Sequence, residues 1–348
     1  MNQARARDAR RALSALAVAG LDAADVQQRA IDAVGRVVPY EAPCWAAVDP
    51  QTMLPTGSVT VDLHPSAQQE ALFADIEYGA SDSNSFADLA RRQIPVGRLS
   101  DLPYGEVMLS RRVNELYRSL GVSFDLRASF VSGGACWGIA GLMRGSGGPD
   151  FSTAEADFLA SVAPLIGTAL RTAIRSRMPG TGAGSGGPVV IVLGAGGEFT
   201  AATPAARDWL EAWQAARPGW LGVALQAVAA TLAGSATRTA HARMRDLSGI
   251  WVALRAAPLM DLESAAQRVL ITVEPVPADE VISIVLSSYP LTPREREICQ
   301  EVLAGGSTAE IADRLHLSAY TVQDHLKSIF AKVGVRSRNE LVGRLRVS

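Results

Sequence analysis

The sequence predicts a multidomain α+β chain closed by an all-α bundle of four short helices. Three observations carry that prediction. Residues 291–348 hold four apolar-periodic segments, each with its own start and stop signals. The run MPGTGAGSGGP at Met178–Pro188 has the composition of a flexible linker. Upstream of it, strand-type segments are interleaved with helical ones and end in a long helix, the pattern of an α+β domain. The expected boundaries are 1–177, a linker at 178–188, 189–276, a second linker at 277–290 beginning near the Pro275–Ala278 break, and 291–348.

Composition narrows the class. A chain of 348 residues suggests roughly two to three domains. Hydrophobic residues make up 48%, ample for packed cores and wrong for disorder. The net charge of −2 selects no partner by itself. Cys44, Cys136 and Cys299 are odd in number and far apart, which points to reduced thiols in a cytoplasmic protein and to no metal site. His64, His241, His316 and His325 show no ligand spacing. Arg5, Arg7, Arg10 and Arg11 precede an Ala-rich stretch that imitates a signal peptide. Asp8 lies within that run, and Leu13, Leu16 and Leu21 suit an amphipathic helix instead, with the arginines as its solvated face. No segment reaches the ~20 apolar residues of a membrane span.

In order along 1–177, Asp25–Val37 reads as a helix, Trp45–Val48 and Ser58–Val61 as strands, and Glu106–Leu120 as a helix. Phe124–Val131 and Cys136–Met143 form an expected antiparallel pair around Ser132-Gly133-Gly134. Ser152-Thr153-Ala154-Glu155 is a capping box, opening a helix with Phe158, Val162, Leu165, Ala169 and Ile174 on one side. Cys136 and Trp137 should point to opposite faces of their strand; core and ligand contact are both open to them. The run Trp137–Leu142, then Phe151 and the long helix, resembles the end of a GAF sensor domain. The aromatic residues spread along this unit suggest a small-molecule pocket near Phe124, Phe130 and Trp137, although the same residues would equally build a core.

In 189–276, Val189–Leu193 is an all-apolar strand, and Gly194-Ala195-Gly196-Gly197 turns. The position of a third dinucleotide-fingerprint glycine holds Phe199, so a turn is the reading. Thr203–Trp213 and Leu221–Leu232 are expected helices, followed by strands at Thr239–Arg245, Ile250–Ala256 and Arg268–Val273. One strand, helices and a three-strand meander resemble a PAS domain. No phosphate-binding loop, nucleophile elbow or receiver-type acidic start occurs, so no catalytic residues and no cofactor are assigned.

The tail is the most informative stretch. Thr292-Pro293-Arg294-Glu295 and Ser307-Thr308-Ala309-Glu310 are capping boxes, Ser318 and Ser337 cap further helices, and Gly305-Gly306 and Gly334 stop two of them. The second and third helices are joined by a turn of about three residues, Leu315-His316-Leu317, the spacing of a helix-turn-helix. From Leu291 to Asp313 two Arg face five acids, giving −3; from Arg314 onward seven Lys/Arg face two acids, giving +5. Cations gathered on the third helix and beyond suit phosphate contact. LTPRE at 291–295, Glu310-Ile311-Ala312, Leu317-Ser318, Thr321-Val322, His325, Lys332-Val333-Gly334-Val335 and Arg338 closely resemble the LuxR-type (FixJ/NarL-like) DNA-binding domain, without a gap.

That resemblance places Gln323, Asp324 and Lys327 at base edges. Gln can bond adenine, Asp can accept from cytosine and Lys can donate to guanine. Many members carry Lys where Gln323 stands, so no inherited target follows. Asp324 can instead pair with Lys327 at i+3. Thr321, His325, Lys332, Arg336 and Arg338 are phosphate candidates, with packing at a helix interface open to His325. Leu341, Val342 and Leu345 are expected either to pair two tails or to bury against the third helix. The whole reads as a cytoplasmic transcription regulator and not an enzyme. Its expected partners are double-stranded DNA, a second copy, RNA polymerase and a small ligand in the GAF-like domain. The rival is a scaffold whose front domains bind only proteins.

Overall fold

The computed structural model describes residues 2–61, 65–79, 82–175, 187–217, 219–235, 239–260 and 267–345. The first elements are α1 (Gln3–Leu16), α2 (Ala23–Gly35), β1 (Ala42–Val48), β2 (Pro55–Val61), α3 (Ala67–Ala74), α4 (Phe86–Arg91), β3 (Val96–Arg98), α5 (Tyr104–Leu109), α6 (Arg118–Leu120), β4 (Phe124–Ser132), β5 (Ala135–Arg144) and α7 (Thr153–Ala173). The five strands form one antiparallel sheet in the order β2-β1-β5-β4-β3. Its hairpin turns on Gly133 and Gly134, at φ +64° and +78°, which two successive glycines reach without strain.

One face of this sheet lies under α1, α2 and α7. Leu13, Ala30, Trp45, Phe130, Trp137, Phe158 and Ile166 make that core. The other face lies under α3, α4 and the π-helical turn Arg112–Tyr117. Cys136 and Trp137 do point to opposite faces, and both faces are covered.

The single helix expected over Glu106–Leu120 is broken. Ser110 leaves the helical region at ψ 119°, and its hydroxyl accepts from Val113 N at 3.2 Å and donates to Asp82 at 3.0 Å. A serine able to cap the next turn competes with helix continuation.

Next come β6 (Val189–Leu193), β7 (Phe199–Ala202), α8 (Pro204–Ala216), α9 (Trp220–Ala230), β8 (Ala240–Arg245), β9 (Trp251–Met260) and β10 (Gln267–Pro275). The second sheet runs β7-β6-β10-β9-β8, the same order as the first. Strand β7 was not expected; its Phe199, Ala201 and Ala202 pair with Leu193, Val192 and Ile191 of β6 after the Gly194–Gly197 turn. The core lies under α8 and α9, with Ile191, Leu254 and Ile271 facing Trp213, Trp220 and Val228.

The chain divides into two compact units, one of Met1–Ser176 with Ala183–Pro275, the other including Val276–Ser348. Both sheets therefore share one unit, although a linker was expected between them at 178–188, most of which lies outside the described residues. Leu54, from the turn after β1, is buried in the second core. Asp49 and Arg243 form a buried bidentate pair between the sheets, at 2.7 and 2.9 Å. Arg217 donates to Gly57 O at 2.6 Å and Arg245 to Ile174 O at 2.7 Å.

The remaining unit holds α10 (Ala278–Ser287), α11 (Pro293–Leu303), α12 (Thr308–Arg314), α13 (Ala319–Val333) and α14 (Arg338–Leu345). Helix α10 corrects the linker expected at 277–290. Pro277 sits at its N-cap, where no N–H is missed, and Val281, Ile284, Val285 and Leu286 are buried.

Candidate nucleic-acid interface

The helix-turn-helix is α12 and α13. Ser307 caps α12 by accepting from Glu310 N, and Ser318 caps α13 by accepting from Thr321 N at 3.0 Å. Between them His316 takes φ +53°, and Leu317 N donates to Ala312 O at 2.8 Å, closing the turn. Val322, Leu326, Ile329 and Val333 bury one side of α13. The opposite side leaves Tyr320, Gln323, Asp324 and Lys327 exposed as one stripe, the i, i+3, i+4 and i+7 positions of a single helix face.

All three base-contact candidates thus share a surface. Lys327 Nζ donates to Asp324 Oδ1 at 3.0 Å, so the i+3 pair forms in the unbound chain. Tyr320, 73% exposed at the start of the helix, was missed. Its signal was available, since it stands one turn before Gln323 and Asp324 on the face opposite Val322.

The phosphate candidates divide. Arg336 is exposed, and Thr321 and His325 are half-buried. Lys332 reaches both Glu295 oxygens at 2.7 Å. Glu295 also accepts from Ser328 at 2.7 Å and from Thr292 N at 2.7 Å. Burial alone would raise the Glu295 carboxyl; the Lys332, Ser328 and Thr292 bonds outweigh it and hold it at about 2. Lys332 therefore ties α13 to the cap of α11. Arg338 donates to Gly306 O and braces the turn before α12. Of the dimerisation candidates, Leu341 and Leu345 are fully buried in their own unit, and Val342 is half-buried.

A second feature lies in the front unit. A cavity of about 60 Å³ stands between the first sheet and its outer helices, lined by Cys44, Phe73, Phe86, Tyr117, Gly141 and Met143 among others, with Val223 of α9 at its edge. A single water needs roughly 10–15 Å³, so this exceeds a one-water void. Phe130 and Trp137 do not line it; they are buried on the sheet's opposite face, and Phe124 packs against that same core.

Arg127 also lines the cavity. Its guanidinium lies 3.8 Å from the Phe86 ring centre and donates to Glu77 at 2.5 Å. Glu77 accepts from Phe86 N at 2.6 Å. Tyr117 donates to Asp125 at 2.6 Å, and Arg112 Nε stands 3.9 Å from the same carboxylate. Burial pushes Asp125 up, against the pull of Arg127 and Arg112. Burial likewise pushes the Cys44 thiol up to about 12. Among the described residues, Nε and Nη1 of Arg127, the same atoms of Arg112, and Oδ1 of Asp125 lack a hydrogen-bond partner.

Residues 289–345 match the family of bacterial regulatory proteins, luxR family, so the chain carries a LuxR-family helix-turn-helix domain at its C-terminal end. The segment is 54% identical over 52 residues to the transcriptional regulatory protein ComA of Bacillus subtilis (strain 168), covering 15% of this chain and 24% of ComA. It is 50% identical over 54 residues to the monoamine regulon transcriptional regulator of Klebsiella aerogenes, covering 16% and 24%. The chain thus spans about a quarter of the length of these relatives. Among solved structures, SdiA in complex with octanoyl-rac-glycerol aligns over 96% of this chain and 92% of that one, at 13% identity and a TM-score of 0.33. Among the described residues, no helix is long and apolar enough to cross a membrane.

Proposed function

We propose that this chain is a sequence-specific DNA-binding transcription regulator whose front unit takes up a signal and controls the tail. One observation carries the reading: the exposed stripe of α13, with Gln323, Asp324 and Lys327 side by side, on a domain that matches the luxR family. A helix of this size fits the major groove and offers its N-terminal half to base edges. Gln323, Asp324 and Lys327 read bases, and Tyr320 joins them. Asp324 must exchange Lys327 for a base, so the pair is broken or bridged on binding. Arg336, Thr321 and His325 meet phosphates; Lys332 and Arg338 act mainly by holding α13 and the turn in place. The unit on DNA is a homodimer, with Val342 and its exposed neighbours on α14 meeting a second tail. The setting is the cytoplasm, with RNA polymerase as a further partner. The first sheet with its flanking helices is read as GAF-like and the second as PAS-like, supported by their antiparallel order and closing three-strand meanders.

Selection of duplexes from a random pool by the full chain, then a salt series on the winner, tests this. The expected result is an inverted repeat with half-sites about one helical turn apart and affinity falling steeply with salt. If no duplex is bound in a salt-dependent way, the reading falls and a protein-interaction scaffold takes its place.

A further inference from the structure

Strand β5 contains two glycines whose reasons differ. A Cβ on Gly138 would meet Leu170 Cδ1 at 2.5 Å and Ala46 O at 3.0 Å, so tight packing under α7 demands glycine. A Cβ on Gly141 would meet nothing nearer than Phe86 Cζ at 3.9 Å and Cys44 Cβ at 4.0 Å. Gly141 faces the cavity and has room for a side chain it does not carry. Glycine inside a central strand weakens it, and often marks where a ligand approaches the backbone.

The same cavity holds a second, independent sign. Arg127 is 2% exposed and keeps two nitrogens without a partner. Buried polar groups are nearly always hydrogen-bonded, because an orphan loses its bonds to water and gains none in return. The missing partner is an acceptor, since a guanidinium only donates. Its charge is already answered: Glu77 pairs with Arg127, and Asp125 faces Arg112. A further carboxylate would bury a third anion beside two, which is expensive. Most of the rest of the lining, Phe73, Leu116, Leu120 and Met143 among it, is apolar, while Gln69 and the carboxyl of Glu70 also line the cavity and add a further reason against an anionic occupant.

We infer that the cavity binds a small uncharged molecule: an apolar body of a few carbons on Gly141 and Met143, ending in one carbonyl-type oxygen that accepts from Arg127. This rests on the reading of the front unit as the part that takes up the signal. Val223 belongs to α9, beneath the second sheet, so an occupant would touch both sheets' layers.

The test uses the full chain and three matched series: 2-butanone to 2-hexanone, butanoate to hexanoate, and pentane to heptane. Ligand-observed NMR and melting temperature are read for the wild type and for Gly141→Val, which fills the cavity at a position with space for it. The ketones are expected to bind saturably. Gly141→Val should melt no lower than wild type and bind them at least ten-fold more weakly. Selective binding of the carboxylates, blocked by Gly141→Val, would overturn the uncharged class. Equal binding of alkanes and ketones would overturn the role of Arg127. If no series binds and Gly141→Val only stabilises, the cavity is a packing gap and the inference fails. A cell extract that shifts DNA affinity equally in wild type and Gly141→Val would also sink this site, while the signal-uptake reading would survive.

Discussion

The two sheets of the front unit share one strand order and treat the same residue type in opposite ways. Each carries an arginine in the middle of its fourth strand, on the face away from its main core. Arg127, on β4, lies under a second layer of helices and is 2% exposed, paired with an equally buried Glu77. Arg255, on β9, is about half exposed and pairs across the strand with Glu274 at 3.3 Å. The strand supplies the position and alternation supplies the face. Only the layer packed above decides whether the charge lies in water or in a near-dry interior. A buried charge needs a buried counter-charge, and that need brought Glu77 and Asp125 under the helices.

The comparison is most directly broken by replacing each arginine in turn. Arg127→Leu leaves Glu77 buried and unpaired, and is expected to cost about 3–5 kcal/mol in urea unfolding of the full chain. Arg255→Leu should stay within about 1 kcal/mol. Equal costs would mean that the covering layer does not control the energetics.

The tail offers a buried carboxylate of the opposite kind, held down by its partners. Lys332→Met should destabilise the tail by about 1–3 kcal/mol. Glu295 titrates near 2 when folded, against 4.5 ordinarily. Its contribution is therefore complete above about pH 4.5 and fades as pH falls toward 2. Hydrogen exchange of α13 amides, corrected for intrinsic rate, should show protection falling through that window in the wild type and far less change in Lys332→Met.

Glu70, one of the residues that line the cavity, is shifted the other way. Burial pushes it up from 4.5 to about 7. Between those values the folded chain holds a proton that the unfolded chain has released. Stability from this group is thus full below about pH 4.5 and lost as pH rises through 7. Glu70→Gln should flatten the change between pH 5 and pH 8 by on the order of 1 kcal/mol once solvent screening is allowed for. A wild-type urea midpoint that does not fall over that range would contradict it. The smallest effect is on DNA: Arg336→Ala should reduce the slope of log affinity against log salt by about one unit, whereas an unchanged slope would remove Arg336 from the phosphate set.

Local rules read much of the chain. The Gly133-Gly134 hairpin, the capping boxes at Ser152, Thr292 and Ser307, and the stripe on α13 all depend on neighbours in sequence. What escaped was decided at long range. In Phe124–Val131, Asp125, Arg127 and Ser129 alternate with Leu126, Ala128 and Phe130. Alternation of that kind ordinarily marks a solvent face for its polar members. The structure covers the polar side, and Asp125, Arg127 and Ser129 are all buried. No local signal announces a second layer, because its helices are short and interrupted at Ser110. The linker expected at 277–290 failed differently. Pro275 and Pro277 read locally as breaks, while Val281, Ile284 and Val285 carry helical spacing.

Leu54 has a consequence for how such a chain changes over generations. Multidomain proteins are often imagined as cassettes, with one front half traded for another. Here a leucine from the first sheet's turn is a plug in the second sheet's interior, and Asp49 supplies the counter-charge to Arg243 next door. A trade made in the glycine-rich stretch would leave a hole and a stranded cation in the recipient. The two layers must therefore be inherited together, or altered in step.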